Sequence, residues 1–97
     1  MMYAIAMDAR SEKSVSALDG WLERHFPDRA RVLPQLWIVE GSLAAEQIRT
    51  GTAPLLAAED RFVIVKTARE ALGGGLPGES AAWLKEHFPD SLTERIP

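Results

Sequence analysis

Asp8 is the residue of this 97-residue chain best placed to do chemistry. It closes the apolar run Met2-Tyr3-Ala4-Ile5-Ala6-Met7. A strand ending there would hold the carboxylate on rigid backbone at the lip of a sheet, open to solvent. Such a group suits Mg²⁺ or Mn²⁺, which take oxygen ligands and keep several waters. One aspartate is a poor site alone. A two-fold axis that brought a second Asp8 close would let two carboxylates share the cation and form a hydrolytic centre. The competing reading has Asp8 capping the next turn or helix through backbone amides; turn aspartates are common, and residue type and spacing alone favour it.

Other candidates are weaker. Glu40 closes a later strand and could add a second acidic ligand, although a solvent-facing strand end is the default. Arg10, Arg24, Arg29 and Arg31, the last three beside His25, could touch the phosphates of a nucleic acid. Glu23 and Asp28 interleave with them, which is the pattern of a solvated charge cluster. Ser11, Ser14 and Ser16 have no histidine–carboxylate pattern near them. The run Gly73-Gly74-Gly75 lacks the Lys-Ser/Thr ending of a phosphate-binding loop, and Glu79 would repel an anion at the helix that follows.

The elements that must position these residues follow from periodicity. Tyr3, Ile5 and Met7 share one face of the first strand. Val15, Leu18, Leu22 and Phe26 then make a helical stripe with Trp21 beside it, capped by Ser11 or Ser14 and stopped by Pro27. Two short strands flank Pro34; in the second, Gln35, Trp37 and Val39 lie opposite Leu36, Ile38 and Glu40. Ser42 is the expected cap of a helix through Ile48, which Gly51 and Pro54 should weaken or kink. Arg61 to Lys66 is a β-branched strand. A helix from Ser80 to Phe88, stopped by Pro89, comes last. The order is that of a ferredoxin-like βαββαβ antiparallel sheet with an additional C-terminal helix, an α+β fold. One domain spans 1–97, with a core over 1–68, a linker over 69–79 and the helix over 80–88.

An eight-residue pattern occurs twice, as Trp21-Leu22-Glu23-Arg24-His25-Phe26-Pro27-Asp28 and as Trp83-Leu84-Lys85-Glu86-His87-Phe88-Pro89-Asp90. A duplicated site with paired histidines is one reading. Two amphipathic helix ends, each packing Trp, Leu and Phe before a proline stop, is the better one.

Composition limits what the chain can be. A net charge of −3 and a pI near 5.3 leave no broad basic surface for nucleic acid. The absence of cysteine removes disulfides, thiolate metal sites and cysteine nucleophiles. No apolar run nears the roughly 20 residues that span a bilayer, and the start lacks a basic leader, so a cytoplasmic chain is expected. The strands are apolar on both faces, yet two helices cover only one face of a four-stranded sheet. The C-terminal segment, a second subunit or both must cover the other, and a symmetric homodimer through the sheet faces is the simplest solution.

Asp8 after Met2-Tyr3, Arg31-Val32 leading to Gln35–Gly41, Ala45-Glu46-Gln47-Ile48-Arg49, Phe62–Val65 and Trp83-Leu84-Lys85 together resemble the CRISPR-associated Cas-two family and its VapD relatives. The likeness is greatest to the small SinR-like proteins. It implies a ferredoxin-like protomer that dimerises through its sheet and carries, at Asp8, the metal-binding aspartate of a phosphodiesterase acting on RNA or DNA. The alternative is a noncatalytic dimeric protein-binding or scaffold module. Two features depart from the family. Ala9 to Lys13 is mixed in charge where a basic helix start is usual, and the Trp83 helix replaces a strand often exchanged between subunits.

Overall fold

The computed structural model describes residues 1–67 and 78–88. Strands β1 (Met2–Asp8), β2 (Asp28–Leu33), β3 (Leu36–Glu40) and β4 (Arg61–Lys66) form one antiparallel sheet in the order β2-β3-β1-β4. Helices α1 (Glu12–His25), α2 (Ala45–Thr52) and α3 (Gly78–His87) complete an α+β architecture compatible with the ferredoxin-like plan. None of the helices described is long and apolar enough to cross a membrane. The expected linker lies outside the described residues, apart from its last two positions. Gly78 and Glu79 belong to α3, which starts two residues before the expected Ser80 and ends at His87.

Alternation along the strands sorts side chains to two cores. Tyr3, Ile5, Met7, Trp37 and Val39 face α1 and α2, packing against Val15, Leu18, Leu22, Phe26 and Ile48. On the opposite face Met2, Val32 and Ile38 meet Leu84 of α3 and Phe88 just beyond its end. The expected division of faces in β1 and β3 is therefore observed. So is the end of α1: its Phe26 N–H donates to the Leu22 carbonyl at 2.8 Å, and the ring is fully buried.

Three local expectations are refined. Ser11 is the cap of α1, accepting from Lys13 N–H. Ser42 caps nothing: α2 begins after Ala44, whose N–H donates to Gln47 Oε1 at 2.7 Å. The expected weakening around Gly51 and Pro54 is observed: α2 ends at Thr52 and passes into a single 3₁₀ turn, Ala53–Leu55, that holds Pro54. A Cβ at Gly51 would collide with the Trp21 indole, so glycine is there for the close approach of α1.

Among the described residues, helix α3 covers the β2–β3 half of its face. On the other half, Ala4 and Ala6 of β1 sit in register with Val65 and Val63 of β4. The two valines are 51% and 54% exposed. Among the described residues, the second face of the sheet is thus half closed by α3.

Candidate functional site

Asp8 stands at the tip of β1, paired in register with Arg61. The Arg61 guanidinium lies 3.6 Å from its carboxylate, with both side chains mostly exposed. An exposed pair of this kind contributes at most about 1 kcal/mol. The capping role favoured by spacing is not the one observed. Ser11 caps α1, and the amide after Asp8, Ala9 N–H, donates instead to Gln35 Oε1 at 2.8 Å. Gln35 returns a bond from its Nε2 to the Ala9 carbonyl at 2.9 Å, clamping the chain just after Asp8. Arg10, Glu59 and Arg61 line a cleft with Asp8. Alternation puts Asp8 on the same face as Ala4 and Ala6, at the end of the uncovered strip.

The other arginine candidates are separate from it. Arg29 bonds Glu23 at 3.1 Å and the Phe26 carbonyl at 3.4 Å. Arg31 donates twice to the Pro34 carbonyl, at 2.9 and 2.6 Å, and lies over the Trp37 ring. Arg31 thus braces the β2–β3 turn, and Arg29 ties β2 to the end of α1. Arg24 is exposed in the last turn of α1.

The groups that do converge lie at the opposite end of the sheet. Asp28 and Glu40 are cross-strand partners at the start of β2 and the end of β3. His87 reaches them from the last turn of α3. One ligand-type atom from each of the three lies within 4.8 Å of the others. The His87 Nε2 is 2.8 Å from Asp28 Oδ2 and 2.7 Å from Oδ1. Its Nδ1 contacts the Trp83 carbonyl at 2.9 Å, so Nδ1 carries a proton. Trp83 stacks on the imidazole, and its indole N–H donates to Asp28 Oδ1 at 3.1 Å. Burial works against a charge on His87. The Asp28 hydrogen bond, the Trp83 carbonyl and the charges of Asp28 and Glu40 outweigh it, and the histidine pKa is raised.

This cluster was partly legible as the duplicated pattern. Over the described residues, which end at Phe88, the two copies fold alike: Trp21 stacks on His25 as Trp83 does on His87, each Nδ1 meets its tryptophan carbonyl, and each phenylalanine is buried. The helix-end reading is therefore the one observed, and the histidines do not pair with each other. What spacing could not supply is that the aspartate closing the first copy meets the histidine of the second.

Comparison with protein-family models finds no match to this chain, and a search of curated proteins finds no significant relative.

Proposed function

We propose that the chain acts as a face-to-face homodimer serving as a noncatalytic binding module, with a ferredoxin-like protomer of the Cas-two and SinR-like type. The observation that carries this is the strip of Ala4, Ala6, Val63 and Val65, uncharged and uncovered among the described residues, beside a helix that closes the β2–β3 half of the face. A second copy is the occupant that fits. The strip is bordered by Asp8 and Arg61, one charge of each sign, so the surface is self-complementary across a two-fold axis.

Full burial of a valine is worth about 1.5–3 kcal/mol, so half of that for each of two valines on two subunits gives about 3–6 kcal/mol. The double variant Val63→Ser/Val65→Ser should therefore weaken the dimer by about a hundredfold or more, at 1.4 kcal/mol per factor of ten. Sedimentation velocity tests this: wild type as dimer and variant as folded monomer support the reading, and an unchanged dimer refutes it.

Asp8 gives a second reading some support, because its exposed carboxylate ends the same strip. Two copies meeting there would bring both carboxylates into one seam, able to hold Mg²⁺ or Mn²⁺ for phosphodiester hydrolysis. Cleavage of labelled RNA or duplex DNA that needs the metal and disappears in Asp8→Ala supports hydrolysis. Equal background from both proteins refutes it.

A further inference from the structure

We infer that Asp28, Glu40 and His87 form a binding site for a divalent transition-metal ion of the zinc type, independent of the proposed dimer. The argument begins with the imidazole. The Trp83 carbonyl holds the proton on Nδ1, so a neutral His87 turns the lone pair of Nε2 toward Asp28. A lone pair 2.7 Å from a carboxylate oxygen is repulsive unless a positive centre lies between them. That centre is either a second proton or a metal ion. Glu40, from the neighbouring strand, adds a further oxygen donor within 4.8 Å of the others.

The surroundings resemble the support that metal ligands need. Metal-bound histidines donate their other ring N–H to a carbonyl or carboxylate, and the ligating carboxylates are themselves hydrogen-bonded. Here the Trp83 carbonyl orients the imidazole and the Trp83 indole N–H orients Asp28. The His87 side chain is only 11% exposed, while that of Asp28, at 47%, leaves an entry path and room for water ligands. An ion about 2.1 Å from each donor in tetrahedral geometry needs donors about 3.4 Å apart. The His87–Asp28 pair stands at 2.7 Å, so binding an ion requires it to widen by about 0.7 Å. One imidazole and two carboxylates suit zinc, cobalt or manganese; a nitrogen ligand disfavours Mg²⁺.

The test uses the full chain, stripped with EDTA and titrated with Zn²⁺ by calorimetry at neutral pH. Imidazole nitrogen shifts are read by NMR in parallel. One ion per chain is expected, with the metal-induced shift at His87 Nε2. His87→Gln should abolish binding, and Glu40→Gln should weaken it at least about tenfold, as loss of even a supporting group does. Glu40→Gln leaves the His87–Asp28 contact in place, so it decides the matter should His87→Gln misfold. His25→Gln, which removes the same stacked motif without a convergent acid pair, should bind normally. Absence of stoichiometric binding, or binding that survives both Glu40→Gln and His87→Gln, overturns the site and leaves a proton as its only cation.

Discussion

Replacing Phe88 by alanine should release α3 without unfolding the rest of the protein. Leu84 of α3 is 3% exposed and Phe88, directly after the helix, 1%; both are buried against Met2, Val32 and Ile38, with Trp83 partly buried beside them. Truncating a buried phenylalanine to alanine costs about 3–5 kcal/mol. Charged to the whole domain, that loss would lower the melting temperature by about 12–40 °C, at 4–8 °C per kcal/mol. The packing argues otherwise. The core beneath α1 and α2 contains no residue of α3, so the loss falls on docking of the helix. Native-state amide exchange should then accelerate in α3 by two to three-and-a-half powers of ten, about 1.4 kcal/mol per power. The amides of β1 and α1 should keep their protection, and the newly bared β2–β3 face should bind a hydrophobic dye. Exchange that accelerates equally in α3, β1 and α1 would refute the division into two cores.

Two further outcomes follow from the geometry. In metal-free protein, His87 has a pKa raised above its ordinary 6.5, so its charged pairing with Asp28 and Glu40 stabilises α3 fully below that value. The contribution fades as pH rises through the raised folded-state value. Exchange protection of α3 measured from mildly acidic to alkaline pH should fall in wild type and stay level in His87→Gln; a rise in wild type would contradict the assignment. Separately, a Cβ at Gly41 would lie 2.8 and 2.9 Å from ring atoms of Phe26, which is fully buried. Gly41→Ala should therefore cost about 1–3 kcal/mol by overpacking, read in urea melts. An unchanged midpoint would show that Phe26 has room to move.

Much of the architecture could be read from spacing because the signals were local. Tyr3, Ile5 and Met7 alternate with period two, and Val15, Leu18, Leu22 and Phe26 recur with helical period; each set lands in one core. The misses were also local. Ser42 looked like a cap, yet Gln47 satisfies the start of α2, and the residue types around Gly51 and Pro54 marked where α2 weakens but not that Gly51 makes room for Trp21. The convergent site was harder to see. Asp28 and His87 are 59 positions apart, and their meeting depends on α3 docking over the β2–β3 hairpin. Asp8 lay in plain view at the end of β1, but its pairing with Arg61 required the β1–β4 register.

The central claim is that a second copy covers Ala4, Ala6, Val63 and Val65. Methyl NMR with a soluble gadolinium relaxation agent tests it on the unaltered chain. At concentrations where the protein is dimeric, the Val63 and Val65 methyls should resist relaxation almost as well as the fully buried Val39, and become sensitive on dilution. Valine methyls relaxed strongly at every concentration would contradict the account.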